Sequence, residues 1–284
     1  MLYPRRGDLC RGGPAAVPGL NPPVLRLAVI ACQVYSRELS FALSQSPCPC
    51  TVTWLPQGLH NTPDQLRRRL QEQIGLLEAQ QKERERFDAI VLTYGLCGGG
   101  VCGLVSSTLP LAVPRCDDCI GVLLGAKKRY RAYFDSREGI YWYSPGWIDF
   151  GDVPCEEYYQ RRYEHYRALY GEDNAAYLVE CEDGWMSRYQ NALFLQPDIP
   201  GDWERYRIFA RQAAERFGWN YEAVPGSSRL LELLLSGRWP EDEVFVCPPG
   251  QKIALVPGTT ELTSVAPDDS LGMTGPVISL NSMC

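Results

Sequence analysis

The chain has 284 residues, of which 45% are hydrophobic and 22% are charged, so it can bury a large core and has the composition of a globular protein. Its net charge of −6 argues against a nucleic-acid partner, because nucleic acids are bound by basic surfaces. No apolar run reaches the roughly 18 residues that a membrane helix needs, and no secretion signal is recognisable. We therefore expect no membrane partner and a cytoplasmic location.

Strands and helices are predicted to alternate through the first half of the chain. Residues 24–32 (VLRLAVIAC) form a continuous apolar run that is typical of a buried parallel strand. Further strands are predicted at residues 50–56, 87–95 and 107–115, and helices at residues 37–43, 63–86, 117–124 and 126–134. This alternation predicts a parallel sheet joined by crossover helices.

The second half repeats this alternation. An extended aromatic segment at residues 139–147 is followed by helices, with further strands predicted at residues 191–196, 220–226 and 243–250. We therefore predict an α/β fold with two Rossmann-like lobes, mainly parallel sheets and a cleft between the lobes. The expected organisation is a disordered leader at 1–22, a first lobe at 23–147, crossover helices and a second lobe at 148–256, and a disordered tail at 257–284.

Side chains with metal-binding or acid–base chemistry follow the ends of the predicted strands. In chain order they are Cys32 after the first strand, His60 after the second, Cys97 after the third, and Arg115, Cys116 and Cys119 after the fourth. Because the carboxyl ends of parallel strands open on one edge of a sheet, we expect these residues to meet. With 12 cysteines and only 2 histidines, the chain would hold a metal mainly through thiolates, as zinc or as an iron–sulfur cluster.

A glycine-rich stretch and an aromatic segment are candidates for binding a cofactor. Tyr94, Gly95, Gly98 and Gly99 lie in TYGLCGGG, whose backbone would let a ligand approach closely, although a tight turn for chain packing explains the glycines equally well. The sequence has neither GxxxxGK[ST] nor a clean GxGxxG. Trp147 is a candidate wall for a planar cofactor, or else a core residue.

The stretch PRCDDCIGVLLG carries the main catalytic candidates. Asp117 is predicted to cap a helix whose first turn contains Cys119, and the N–H groups there would lower the pKa of this thiol. The thiolate would be a nucleophile, a redox centre or a metal ligand. Cys116 has ligand spacing to Cys119. Arg115 is predicted to pair with an anionic ligand, or alternatively to neutralise the neighbouring aspartates.

Two residues elsewhere in the chain complete the candidate site. His60 is a candidate base or ligand, and a hydrogen-bonded loop histidine is the alternative interpretation. Cys181 is a candidate metal ligand from the second lobe, and a packed helix residue is the alternative. The catalytic candidates are therefore Cys119, His60 and Arg115.

The order of several motifs resembles a known family. IACQVYSREL, LPQGLHNTP, DAIVLTYGLCGGGVCGL, PRCDDCIGVLLG, GIYWYSPGW and VFVCPPGQKI together resemble the DUF1638 family, a prokaryotic family of unassigned function, over residues 25–253. The family pattern corresponds here to Cys32, His60, Tyr94, Gly95, Cys97, Gly98, Arg115, Asp118, Cys119, Gly146 and Trp147. Position 116 often carries His in the family and is Cys here. This departure weakens the CxxC interpretation and leaves Cys32, Cys97 and Cys119 as the stronger triad.

Three hypotheses about function follow. The first is a metal-binding protein with a thiolate site, an enzyme of anaerobic metabolism, with Cys32, Cys97 and Cys119 as ligands and Cys181 or Cys116 completing the set. The second comes from the resemblance, which implies anaerobes and corrinoid-dependent methyl transfer. It is an accessory factor whose corrinoid belongs to a partner corrinoid protein or methyltransferase, because the chain has no DxHxxG signature. The third is a non-catalytic sensor or metal chaperone for a small-molecule ligand.

Overall fold

The computed structural model describes residues 24–83 and 87–268. The strands are β1 Leu27–Cys32, β2 Cys50–Leu55, β3 Ala89–Leu92, β4 Leu111–Pro114, β5 Ile140–Tyr143, β6 Asn191–Gln196, β7 Asn220–Pro225, β8 Val244–Cys247, β9 Lys252–Leu255 and β10 Leu262–Val265. The helices are α1 Ser36–Gln45, α2 Pro63–Glu83, α3 Cys119–Leu123, α4 Lys127–Ser136, α5 Pro145–Phe150, α6 Glu156–Tyr170, α7 Glu172–Asp183, α8 Glu204–Phe217 and α9 Arg229–Leu235.

A five-stranded sheet carries the first half of the fold. Its strand order is β2-β1-β3-β4-β8, in which the first four strands are parallel and β8 runs antiparallel to β4. All six residues of β1 are buried, as expected for a strand that is covered on both faces. On α2, Leu66, Leu70 and Ile74 recur every four residues and are fully buried, so this helix turns one apolar stripe towards the core.

A second, three-stranded parallel sheet has the order β5-β6-β7. Its core is aromatic: Tyr141 of β5 stacks on Trp219 with ring centroids 5.6 Å apart and meets Tyr189 edge-on. Strands β9 and β10 form a separate antiparallel pair. The chain is thus a mixed α/β protein with mainly parallel sheets, and this part of the fold prediction is confirmed.

The predicted division of strands between two lobes is wrong at two places. The strand expected at residues 243–250 in the second lobe is β8, which pairs with β4 in the first sheet. The aromatic segment assigned to the first lobe contains β5, which belongs to the second sheet. A short apolar run indicates a strand but does not indicate which strand it pairs with. The sequence pattern therefore located these two strands without assigning them to a sheet.

The ends of the chain also differ from expectation. The predicted disordered tail at 257–284 contains β10, which pairs with β9 through Leu262 and Leu255. A four-residue strand is too short to show a clear alternation, so its pairing with β9 is what reveals it. The predicted leader at 1–22 and residues 269–284 lie outside the described residues. Within the described ranges, the helices lack the combination of length and apolar character that crossing a bilayer requires.

Candidate functional site

A small cavity lies at the carboxyl ends of the parallel strands of the first sheet. Its volume is about 30 Å³, which is room for two or three water-sized groups. The residues that line it are Cys32, Val34, Tyr35, Pro56, Gln57, Leu59, His60, Tyr94, Cys97, Asp118, Cys119 and Trp147.

Four successive strands deliver these residues to one place. Cys32 is the last residue of β1, His60 lies in a 3-10 turn after β2, Cys97 lies in a 3-10 turn after β3, and Cys119 begins α3 after β4. Parallel strands direct the loops at their carboxyl ends to the same edge of the sheet. The structure therefore brings together four of the residues that the sequence singled out.

The loop after β3 lies directly against the loop after β4. The backbone N–H of Leu96 donates to the carbonyl of Cys116 at 2.8 Å, and the N–H of Cys97 donates to the carbonyl of Asp117 at 2.9 Å. Gly95 makes this approach feasible, because a Cβ atom there would lie 2.8 Å from the carbonyl oxygen of Cys116. Two segments that are 20 residues apart in the chain are thereby locked side by side.

The backbone at Cys97 is strained. Its φ is 45°, and it is the one non-glycine residue with a positive φ in the part of the chain that the structure describes. The next two residues, Gly98 and Gly99, have φ of 65° and 87°, which glycine adopts without penalty. A residue with a side chain held in this region costs about 1–3 kcal/mol, and such residues cluster at functional sites. The glycines therefore shape the turn that presents Cys97.

Asp118, rather than the predicted Asp117, caps helix α3. Its Oδ1 accepts from the N–H of Gly121 at 3.0 Å, and its Oδ2 accepts from the hydroxyl of Tyr130 at 2.5 Å. Burial raises the pKa of Asp118, although these hydrogen bonds oppose the shift. Cys119 begins helix α3, and the lowered pKa that the sequence analysis expects for its thiol stays a prediction.

The thiols of the cavity share one neighbourhood. Burial raises the pKa of Cys32 to about 11, so this thiol is protonated at neutral pH. Tyr35 lies among the thiols: burial raises its pKa well above the ordinary value, and Cys119, Cys97 and Cys32 raise it further when they are ionised. Among residues 24–83 and 87–268, no group of three or more His, Cys, Asp or Glu side chains is arranged to hold a metal ion.

Four polar atoms in the wall of the cavity have no hydrogen-bond partner among the described residues. They are the hydroxyls of Tyr35 and Tyr94, Nε2 of His60 and Nε1 of Trp147. The His60 and Trp147 rings meet edge-on with centroids 5.3 Å apart, and burial lowers the pKa of His60. A buried polar group that is left unpaired costs roughly 1–3 kcal/mol of folding free energy. Four such groups in one wall therefore indicate a role in binding and not in stabilising the fold.

Helix α5 positions Trp147 against the first sheet. Ser144 caps the start of this helix: its hydroxyl oxygen accepts from the backbone N–H of Trp147 at 3.2 Å. Gly146 lies so close to the carbonyl of Val34 that a Cβ atom at this position would overlap the carbonyl oxygen. A residue that follows the first strand of the second sheet thereby lines the cavity at the edge of the first sheet.

Six residues that the sequence analysis selected lie outside the cavity wall: Gly95, Gly98 and Gly99 of the turn described above, and Arg115, Cys116 and Cys181. The Arg115 side chain binds residues that do not line the cavity. Its Nε donates to the carbonyl of Glu241 at 2.7 Å, and its Nη1 donates to the carbonyl of Leu262 at 3.1 Å. Arg115 does not line this cavity, so its predicted role towards an anionic ligand stays a prediction without support here. Cys116 is buried beside Gly121 with its pKa raised by burial to about 12, and Cys181 is exposed on α7.

The sequence analysis missed Tyr35. It follows Cys32 by three residues, so the rule that strand ends converge applies to it as well. The sequence alone does not single out this tyrosine, because nothing in its local pattern marks an unpaired hydroxyl. Its unpaired state depends on neighbours from three other loops.

Comparison with known proteins identifies the family of the chain. The search of curated proteins and the search of solved structures both found no match. The sequence model of a family described as "Protein of unknown function (DUF1638)" matches residues 54–235, a segment that includes His60, Tyr94, Cys97, Cys119 and Trp147. Because this match spans more than half of the chain, the protein belongs to the DUF1638 family.

Proposed function

We propose that the cavity binds a thiophilic metal centre, zinc or an iron–sulfur cluster, with Cys32, Cys97 and Cys119 as ligands. The observation that carries this proposal is the presence of three thiols from three separate strand-end loops in the wall of one small cavity. Thiolates favour zinc and iron–sulfur clusters over hard cations such as magnesium. Trp147 enters from the helix after β5, so we further propose that the cavity belongs to a cleft between the two sheets.

The donor chemistry fits such a centre, but the ligands are not preassembled. Cys32 has a pKa of about 11, so metal binding would have to displace its proton and would be favoured by rising pH. The sulfur atoms would also have to rotate to reach a shell of about 2.3 Å around zinc. The protonated Cys32 thiol carries no charge, so the metal-free protein can bury it without the penalty of a buried charge.

His60 is the better fourth ligand. Burial lowers the pKa of His60, which keeps the imidazole neutral, and its Nε2 has no partner among the described residues. Three thiolates and one imidazole are a common structural zinc set. The predicted fourth ligands are less suited, because Cys181 is exposed on α7 and Cys116 does not line the cavity.

The methyl-transfer and sensor hypotheses stay predictions. A cavity of about 30 Å³ cannot contain a corrinoid ring, so a corrinoid would have to be carried by a partner protein, as the resemblance implies.

The test is anaerobic purification followed by metal and sulfide analysis and by zinc titration against a competing chelator. We expect close to one zinc, or one cluster, per chain. Loss of an outer-shell partner weakens metal sites by about 10–100-fold, so replacing a direct ligand in C32S, C97S or C119S should weaken zinc binding by at least about 100-fold.

Cys181→Ser is the matched control, because this cysteine is exposed on α7. It should bind zinc as the wild type does. The proposal is refuted if anaerobically purified protein carries no metal and binds no added zinc, or if C181S weakens zinc binding as much as the three cavity variants do.

A further inference from the structure

The unpaired atoms of the cavity wall indicate what else the cavity holds. Tyr35, Tyr94 and Trp147 are only 1%, 4% and 7% exposed, and the polar atom of each has no partner among the described residues. Buried polar groups in native proteins are almost always hydrogen-bonded, to protein, to water or to a ligand. All three side chains line the same cavity, so one small occupant can satisfy them together.

The chemistry of these groups favours an occupant that accepts hydrogen bonds. The indole N–H of Trp147 can only donate. Burial raises the pKa of both tyrosines well above 10, so their hydroxyls keep their protons at neutral pH and are able to donate. An occupant without an acceptor atom would leave the indole N–H unpaired.

The charges around the cavity disfavour an anion. Among the described residues that line it, there is no Lys or Arg, and Asp118 contributes a carboxyl group. The nearby Arg37 is paired with Asp149 at 2.6 Å. An anion placed here would lose its hydration without gaining a cation, which is strongly unfavourable in a buried site. An uncharged acceptor avoids this penalty.

We propose that Tyr35, Tyr94 and Trp147 form a wall of hydrogen-bond donors that binds a small uncharged carbonyl compound, of the amide or ketone class, beside the thiols of the cavity. The volume of about 30 Å³ limits this ligand to a few heavy atoms. This inference goes beyond the proposed metal centre and does not depend on it, since the donors belong to aromatic side chains and not to the thiols.

Acetamide and acetate are the probes, because they have the same shape and differ in charge. Their binding is measured by isothermal titration calorimetry on chelator-treated protein and again on zinc-loaded protein. A ligand of four heavy atoms cannot bind more tightly than about 0.04 mM, so we expect a dissociation constant for acetamide in the low millimolar range. Acetate should bind at least about tenfold more weakly, because no cation compensates its charge.

Two conservative variants test the donor wall. Tyr35→Phe and Tyr94→Phe each remove one hydroxyl and should weaken acetamide binding by about 3–10-fold. Tyr143→Phe is the control: Tyr143 is equally buried but its hydroxyl donates to the carbonyl of Pro154, outside the cavity wall. It should bind acetamide as the wild type does.

Several outcomes would overturn the inference. They are no acetamide binding at 50 mM, acetate binding as tightly as acetamide, and unchanged acetamide affinity in both cavity variants, which would leave ordered water as the occupant. Metal binding is measured separately on the same preparations. Protein that binds zinc but not acetamide would refute this inference alone, and protein that binds acetamide but not zinc would refute the proposed function alone.

Discussion

Replacing Tyr35 by Phe is expected to stabilise the ligand-free protein, although it removes a polar group from the centre of the candidate site. The Tyr35 side chain is 1% exposed, and its hydroxyl has no hydrogen-bond partner among the described residues. In the unfolded chain this hydroxyl is hydrated, whereas in the folded protein no described residue replaces that hydrogen bond. The substitution removes this penalty and keeps the aromatic ring.

The magnitude follows from two opposing effects. An unsatisfied buried hydroxyl costs about 1–3 kcal/mol, and the space left by one oxygen atom costs a few tenths of a kcal/mol at about 24 cal/mol per Å³. The net expectation for Tyr35→Phe is a gain of about 1–2 kcal/mol. A domain of this size shifts its Tm by about 2–4 °C per kcal/mol, so the Tm should rise by roughly 2–8 °C.

Differential scanning calorimetry and urea unfolding on metal-free, ligand-free protein measure this gain. Tyr143→Phe is the contrasting control, because its equally buried hydroxyl donates to the carbonyl of Pro154 at 2.9 Å. That variant should lose about 0.5–1.5 kcal/mol. If Tyr35→Phe is destabilised by as much as Tyr143→Phe, the hydroxyl of Tyr35 has a partner and the reasoning about the donor wall is wrong.

Three further predictions concern the surroundings of the site. Burial raises the pKa of Glu38 from 4.5 to about 7, so the folded state keeps this proton to a higher pH than the unfolded state does. The stability that the protonated carboxyl contributes is complete below pH 4.5 and is lost as the pH rises through 7. Urea unfolding should therefore show a loss of about 2 kcal/mol between pH 5.5 and 8, and Glu38→Gln should abolish that loss. Gly146→Ala should destabilise the protein by several kcal/mol because its Cβ would overlap the carbonyl of Val34, whereas Gly75→Ala, in open space on α2, should stabilise it by about 0.5–1 kcal/mol in thermal unfolding. Arg115→Ala should lower the free energy of unfolding by about 1–3 kcal/mol and leave zinc affinity unchanged, because its guanidinium donates to two backbone carbonyls away from the cavity.

Each of these has a result that would contradict it. An unchanged pH dependence in Glu38→Gln would assign the slope to another group. A Gly146→Ala variant as stable as the wild type would mean that α5 can move away from Val34 without consequence. Weakened zinc binding in Arg115→Ala would mean that this side chain influences the cavity although it does not line it.

Much of the site could be predicted because the relevant signals are local. The run LAVIAC indicates a buried strand by composition alone, and its last residue is Cys32. TYGLCGGG indicates a strand that ends in a glycine turn, and that turn presents Cys97. The convergence of these two residues then follows from the general geometry of parallel strands.

The position of Arg115 could not be predicted, for a different reason. Arg115 and Cys119 are four residues apart, yet one points to Glu241 and Leu262 and the other into the cavity. Their directions depend on which elements pack on each side of the loop. Strand β8 likewise shows its apolar character in the sequence and not its antiparallel pairing with β4.

The sequence by itself determined the approximate positions of strands β1 to β8, that the sheets are mainly parallel, and that cysteines follow the carboxyl ends of several strands. These features depend on residue periodicity and backbone preference within a few positions of the chain. Only the tertiary structure decided that Trp147 closes the cavity, that Tyr35 and Tyr94 keep unpaired hydroxyls there, and that Cys181 lies elsewhere. Which partner a buried polar atom or a strand finds depends on residues that are distant in the chain, so the local sequence pattern does not predict it.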